Sequence, residues 1–193
     1  MTRSTFTRLP ESKRKVFINV CLDEFAAHCY EGASISGIVK KLGIAKGSIY
    51  QYFTDKADLY EHLLTLSLDR KYEIINYVNT RATPVFKSWF IRICLAEIKF
   101  AQEFTPMYRV LERARGPYAE KVDRTDKAFI QENLYRFRNE LNILHSEDTA
   151  LLLTIIKRGL VAEIFSMPAV EDPFERLSVC IDLFCKGMTS QSQ

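Results

Sequence analysis

The 193-residue sequence lacks the features that would assign it to the membrane or to the common classes of enzyme. No uninterrupted apolar run approaches the roughly 20 residues of a membrane-spanning helix, and the start, Met1–Ser4, has no apolar signal region. The histidines, His28, His62 and His145, lack metal-ligand spacing, and the chain has no glycine-rich phosphate loop or nucleophile elbow. We therefore expect a cytoplasmic protein without catalytic residues, cofactor or bound metal.

The cysteines are odd in number and scattered, which argues against a disulfide framework, and they lack the paired spacing of zinc sites. There are five of them: Cys21, Cys29, Cys94, Cys180 and Cys185. We interpret them as small buried hydrophobic side chains. Redox sensing is an alternative only at Cys29, which lies near the turn at Gly32 and would need an exposed thiol of low pKa.

Proline and glycine mark helix boundaries along the chain, and no segment alternates as an exposed strand does. A capping residue precedes a proline at Thr83-Pro84, Thr105-Pro106, Gly116-Pro117 and Asp172-Pro173. We therefore predict an all-α fold of about nine helices. The predicted helices span residues 11–29, 35–42, 46–52, 56–80, 85–104, 106–114, 118–143, 147–166 and 173–187.

The segment 34–53, SISGIVKKLGIAKGSIYQYF, predicts two short helices joined by a tight turn. Ser34 is placed to cap the first helix, which would bury Ile35, Ile38, Val39 and Leu42. Gly43 can adopt a positive φ at low steric cost, so the chain can reverse there before Lys46 opens the second helix. This is the geometry of a helix-turn-helix motif.

These residues resemble the DNA-binding signature of the TetR family of bacterial transcriptional regulators, which are usually repressors. The resemblance covers Gly32 to about Leu64, and it departs from the family pattern at Gly37 and Ala45. It implies a three-helix DNA-binding domain over residues 1–55, followed by a helical effector-binding and dimerisation domain over residues 56–193. It also implies a homodimer that binds a palindromic double-stranded DNA operator in the bacterial nucleoid and is released by a small molecule.

The predicted contacts with DNA lie on the two helices of the motif and just after them. They are Ser36, Lys40, Lys46, Gly47, Ser48, Tyr50, Gln51, Tyr52 and Lys56. Lys46 and the N–H groups of Gly47 and Ser48 can bind a phosphate at a helix N-terminus, and Gln51 can pair with adenine. The net charge of only +3 would not by itself suggest nucleic acid.

Two wide apolar stripes near the end of the chain predict the dimer interface, as an antiparallel four-helix bundle with a second copy. The predicted interface residues are Ile156, Leu160, Ile164, Leu177, Ile181 and Phe184. The alternative is that these helices form an interior hairpin of one chain.

An aromatic stripe over residues 86–104, interrupted by Glu97, predicts a pocket for a lipophilic or aromatic effector. The predicted lining is Trp89, Phe90, Ile93, Glu97, Phe100, Phe104, Tyr108 and Phe129. The alternative for Glu97 is an internal salt bridge, with Arg158 as the suggested partner. Two other functions stay open: a helical small-molecule binding protein or carrier without sequence-specific DNA binding, and a DNA-binding protein whose interior is simply filled.

Overall fold

The computed structural model describes residues 4–80, 85–141, 146–167 and 172–189. The predicted helix start at Thr83-Pro84, His145 and the end of the predicted helix 118–143 lie outside them. Within the described ranges there are ten α-helices, one short 3-10 helix and no strand, so the predicted all-α class is confirmed. No helix in these ranges is long and apolar enough to cross a membrane.

The helices follow one another with short connections. They are α1 (Ser4–Thr7), α2 (Glu11–Gly32), α3 (Ile35–Leu42), α4 (Lys46–Ile49), α5 (Lys56–Asn79), α6 (Phe86–Glu103), α7 (Thr105–Glu112), α8 (Pro117–Leu134), α9 (Ser146–Ser166) and α10 (Pro173–Thr189), with the 3-10 helix at Tyr135–Phe137 after α8.

Several helix ends differ from the sequence prediction by one to three residues, and three differences change the local structure. The four-residue helix α1 was missed, because so short a segment has no periodicity to detect. Helix α4 ends at Ile49 rather than at residue 52, and the chain continues in a tight turn. Helix α8 ends at Leu134, where the chain tightens into the 3-10 helix and Phe137 packs on Trp89 with ring centroids 5.1 Å apart.

The chain forms two compact units. Unit 1 contains Met1–Arg70 and Phe104–Val122, and unit 2 contains Lys71–Glu103 and Asp123–Gln193. In unit 1, α2 packs against α3 and α7, whereas in unit 2, α6 packs against α9 and α10. The predicted boundary after residue 55, between the DNA-binding domain and the effector-binding and dimerisation domain, stays a prediction.

Aromatic side chains fill both cores. In unit 1, Phe6 lies 5.3 Å from Phe17 and 5.1 Å from Phe53 between ring centroids. In unit 2, Trp89 and Phe90 of α6 are buried, and the indole N–H of Trp89 donates to Asn79 Oδ1 at 2.9 Å. Each large apolar side chain buried in this way stabilises its unit by about 1.5–3 kcal/mol.

Candidate functional site

The frame of the site is the turn between α3 and α4, and its geometry follows from two residues. The Ser34 hydroxyl accepts a hydrogen bond from Gly37 N at 3.2 Å and so caps α3. Gly43 adopts φ 66° and ψ 29°, the left-handed region that a side chain disfavours. Ile44 N then donates to Val39 O at 3.1 Å, which closes the turn. The predicted cap and turn are confirmed.

A buried carboxylate that sequence reasoning missed holds α3 in place. Glu24 of α2 accepts from Ser34 N at 3.1 Å and from Lys41 Nζ at 2.8 Å. The hydrogen bond from Lys41 holds the pKa of Glu24 below its usual value against the opposing effect of burial. A Cβ at Gly37 would lie 3.3 Å from Glu24 Oε1, so a glycine there leaves room for the carboxylate. Nothing in the local pattern ten residues before Ser34 signals this role.

The predicted DNA contacts lie within one short stretch of unit 1. Six of these residues are exposed, namely Ser36, Lys40, Lys46, Gly47, Tyr50 and Gln51. The other three are half-buried, namely Ser48, Tyr52 and Lys56. Helix α3 contributes the first two, and the others lie on α4, on the turn after it and at the start of α5. The structure therefore presents a cluster of amines, hydroxyls and an amide next to a rigid turn.

Ser48 and Lys56 use, in contacts within the protein, the very groups that the sequence analysis assigned to DNA. Ser48 N donates to Ala45 O at 2.9 Å, so this N–H group is already used within the turn. Lys56 Nζ donates to Glu31 O at 3.2 Å and lies 4.8 Å from the centroid of the Tyr30 ring. Lys56 therefore holds the start of α5 against the end of α2.

The missed helix α1 fastens the turn that follows α4. The Thr5 hydroxyl donates to Gln51 O at 2.6 Å, and the buried Phe6 ring lies 5.7 Å from that of Tyr52. Both contacts join residues about 46 positions apart, which local sequence patterns do not reveal. Gln51 keeps an exposed side chain while its backbone is fixed.

Unit 2 contains a buried cluster of four charges, one from each of α5, α6, α8 and α9. We call Lys71, Glu97, Asp126 and Lys157 the ion cluster. Lys71 Nζ lies 2.9 Å from Glu97 Oε1 and 2.6 Å from Asp126 Oδ1. Lys157 Nζ is hydrogen bonded to Glu97 and lies 3.7 Å from Asp126 Oδ2. The two cations balance the two carboxylates, and all four side chains are nearly inaccessible to solvent.

Within the ion cluster, the pKa values of Glu97, Asp126 and Lys157 are shifted so that the charged form of each is favoured. Burial alone would raise the pKa of Glu97, but Lys157 and Lys71 outweigh it and hold the value below normal. The same balance lowers the pKa of Asp126, which also accepts from Tyr72 OH at 2.6 Å. Burial would lower the pKa of Lys157, yet the two carboxylates raise it. Glu97, Asp126 and Lys157 therefore stay charged at neutral pH.

The predicted effector residues are mostly packed within the core. Trp89, Phe90, Ile93, Glu97, Phe100, Tyr108 and Phe129 are buried, and Phe104 is half-buried. Phe104 and Tyr108 belong to unit 1 and the other six to unit 2. Glu97 has the internal salt bridge of the alternative interpretation, but the suggested partner was wrong. Arg158 pairs instead with Asp123 at 2.5 Å and with Asp126 at 3.3 Å.

The predicted interface stripe lies largely inside unit 2. Ile164, Leu177 and Ile181 are buried, and Ile156, Leu160 and Phe184 are half-buried. A second apolar face points to solvent from the same two helices. It comprises Leu151, Leu152 and Ile155 of α9 and Val179 and Leu183 of α10, which we call the outer face. Both helices are therefore apolar on two sides.

Comparison with known proteins gives concordant results. Residues 17–63 match the family model described as bacterial regulatory proteins, tetR family. The uncharacterized HTH-type transcriptional regulator YuxN of Bacillus subtilis (strain 168) is 26% identical over 136 residues. That match covers 69% of this chain and 46% of YuxN, so the aligned part spans about half of the relative's length.

Solved structures extend the likeness over nearly the whole chain. A TetR family transcriptional regulator from Chloroflexus aurantiacus J-10-FL superimposes with a TM-score of 0.73 and 26% identity, covering 97% of this chain and 91% of that one. The fatty acid degradation regulator FadR from Bacillus halodurans gives a TM-score of 0.70 over 94% of this chain and 99% of its own. At 16% identity the latter is similar in fold alone.

Proposed function

Since the chain is a member of the TetR family of transcriptional regulators, we propose that it is a homodimeric repressor released from a palindromic operator by a small lipophilic or aromatic effector. The observation that carries this proposal is the exposed cluster of polar side chains on the rigid frame of α3 and α4. Each copy of α4 enters the major groove of one operator half-site. The operator is palindromic because the dimer is two-fold symmetric, and its half-sites lie about one helical turn apart so that both copies of α4 meet the same side of the duplex.

Within each half-site we assign two kinds of contact. The exposed amines of Lys40 and Lys46 contact phosphates, as do the hydroxyls of Ser36 and Tyr50, and these contacts supply affinity. The exposed amide of Gln51 reads a base, with adenine as its preferred partner. The backbone of Gln51 is fixed by Thr5, so its side chain is presented from a defined position.

Fluorescence anisotropy tests the DNA-binding proposal. Purified protein is titrated with labelled duplexes from the DNA upstream of its own gene, at two salt concentrations, beside a scrambled duplex. We expect tight binding that is selective for one sequence and weakens with salt. Weak binding that is equal on all duplexes, those from neighbouring promoters included, would instead favour a helical small-molecule carrier.

Two variants separate the two kinds of contact. Lys46→Gln should weaken binding to all duplexes alike and reduce the slope of log K against log salt by about one. Gln51→Ala should relax the preference at one base pair by about 1–3 kcal/mol. Lys99→Gln, an exposed lysine of unit 2, is the matched control. If Gln51→Ala leaves the ranking of operator variants unchanged, its proposed base contact is wrong.

For the dimer we propose the outer face as the surface that meets the second copy, in place of the buried stripe. Gly159 lies on the same side of α9, and a Cβ there would meet no atom within 4 Å in one protomer. A second helix can therefore approach closely at this point.

Sedimentation equilibrium tests the dimer surface. Ile155→Glu and Leu183→Glu should convert dimer to monomer, because each buries a charge in an apolar interface. Gly159→Leu should also convert dimer to monomer, because the leucine side chain would occupy the space where the helix of the second copy approaches. A single protomer has room for this side chain, so its fold should be unaffected. Val85→Glu, at an exposed valine elsewhere in unit 2, should leave the dimer intact. Dimers that persist in all three outer-face variants would refute the assignment.

For release we propose a population shift in which an effector bound within residues 56–193 favours a conformation whose two α4 helices cannot reach both half-sites. A coupling of about 1–3 kcal/mol would change operator affinity 5- to 150-fold. Because linkage is reciprocal, saturating operator must weaken effector binding by the same factor. A compound that binds but fails this reciprocity is not the effector of this mechanism.

A further inference from the structure

An open groove of about 400 Å³ lies on unit 1, apart from the residues so far assigned to an effector. Its apolar lining includes Leu9, Val16, Leu42 and Ile44, and Ser12 and Lys13 contribute polar groups at one side. The volume falls within the range of small-molecule sites in proteins. Val16 is 58% exposed although it is β-branched and apolar, so part of this lining faces solvent in the protein alone.

The polar groups of the groove favour an anion. Lys13 is exposed and, within the described part of the chain, forms no ion pair. The neighbouring Arg14 donates instead to Thr7 O at 3.2 Å, and Lys41 is bound to Glu24. Lys13 also lies in the first turn of the 22-residue helix α2, which no side chain caps, and the helix dipole adds positive potential there.

We propose that this groove binds a small, mainly apolar organic anion, such as an aromatic or short aliphatic carboxylate. The carboxylate lies against Lys13 and Ser12, and the apolar body packs between Val16, Leu42 and Ile44. Charge complementarity with Lys13 and the apolar lining together select this class over a neutral polar molecule or an inorganic anion.

Occupancy of the groove should oppose DNA binding, a consequence that rests on the proposed function of α4. Tyr52 lines the groove and is also a predicted contact with DNA, and Ile44 lies two residues before Lys46. An anion in the groove neutralises Lys13 and so removes one positive charge beside the surface that meets phosphates. The groove would then be a second regulatory site, competitive with the operator, in the DNA-binding half of the chain.

Methyl NMR of the full-length protein tests the site without DNA, with 4-phenylbutyrate as the probe. Leu9, Val16, Leu42 and Ile44 all carry methyl groups, so a ligand in the groove should change the chemical shifts of these methyl signals. We expect saturable shifts at these four residues, and weaker binding of the uncharged analogue 4-phenylbutan-1-ol. Lys13→Gln should weaken binding of 4-phenylbutyrate about two- to fivefold, the range of a solvent-exposed ion pair. Val16→Asn should weaken it at least as much.

The matched control is Lys15→Gln, which removes an exposed lysine of the same helix that does not line the groove. Equal weakening by Lys15→Gln and Lys13→Gln would overturn the proposal, as would the absence of saturable shifts at the four methyl-bearing residues. Shifts of the same methyls on dilution without ligand would also overturn it, because a second copy would then cover the groove.

Anisotropy with operator DNA follows as a separate measurement. Added 4-phenylbutyrate should raise the operator Kd of the wild type and of Lys15→Gln more than that of Val16→Asn. Groove shifts with an unchanged operator Kd would overturn the competitive role. Protein that shows the groove shifts but binds no duplex selectively would instead refute the proposed DNA-binding function, so the two failures are distinguishable.

Discussion

Replacing Lys157 with methionine should destabilise the protein by about 3–5 kcal/mol, because it leaves an unbalanced charge in the interior. Lys157 is 1% exposed and contacts both Glu97 and Asp126. Without its ammonium group, Lys71 is the buried cation left to the two carboxylates, Arg158 reaches only Asp126 from the exposed side, and the ion cluster itself carries a net charge of −1. Methionine is unbranched and similar in length, so lost packing contributes little of this cost.

The magnitude can be measured by urea unfolding followed by circular dichroism, at one fixed protein concentration because association affects stability. For a chain of this size a loss of 3–5 kcal/mol lowers Tm by about 6–20 °C. Lys99→Met is the control, since Lys99 is 63% exposed and its pair with Glu103 lies on the surface. We expect this control to cost no more than about 0.5 kcal/mol.

A double variant tests the reasoning more directly. Lys157→Met combined with Glu97→Gln restores neutrality around the remaining pair, Lys71 and Asp126. The double variant should be more stable than Lys157→Met alone, which is the non-additivity expected of side chains in one network. If the two substitutions add, or if Lys157→Met costs no more than Lys99→Met, the ion cluster does not stabilise unit 2 as we argue.

Three further predictions concern pH, the capping carboxylate and the N-terminal helix. The folded protein lowers the pKa values of the two buried carboxylates, Glu97 and Asp126. Their contribution to the free energy of unfolding is therefore complete above the pKa values of the unfolded chain, about 4–4.5, and is lost as the pH falls below that range. Urea unfolding at a series of pH values should show a smaller acid loss in the double variant Lys157→Met/Glu97→Gln. Glu24→Gln should destabilise unit 1 by about 1–2 kcal/mol in unfolding assays and weaken operator binding in anisotropy assays, because Ser34 N and Lys41 lose their carboxylate partner. Asp23→Asn, at the exposed neighbouring residue, should leave both stability and operator binding unchanged. Phe6→Ala should cost about 3–5 kcal/mol by thermal unfolding, and a variant that melts with the wild type would mean that α1 only covers the surface.

The parts of the fold that the sequence predicted well are those specified by local chemistry. A serine hydroxyl caps the helix that begins beside it, and a glycine at positive φ reverses the chain where it stands. Helix existence along the rest of the chain followed from periodicity and from prolines at first turns. The helix-turn-helix frame could therefore be located without the structure.

The parts that sequence reasoning missed depend on partners far along the chain. Glu24 reaches Ser34 and Lys41, and Lys157 reaches a carboxylate 60 residues away. On a helix an isolated lysine is usually solvent-exposed, so nothing in its neighbourhood distinguishes Lys157 from a surface residue. For α9 and α10, the prediction of the interface side failed for another reason. Both sides of each helix are apolar, and periodicity alone does not say which side faces inward.

The position of the ion cluster gives it a place in the proposed release mechanism. The chain passes between the two units three times, and two of these passages lie inside helices, at residues 70–71 of α5 and 122–123 of α8. Lys71 is the first residue of unit 2 on α5, and Asp126 follows the passage in α8 by three residues. The 2.6 Å ion pair between them therefore clamps the two helices that continue into unit 1. In the release mechanism that we propose, an effector that rearranged Glu97 or Lys157 would disturb this clamp within unit 2.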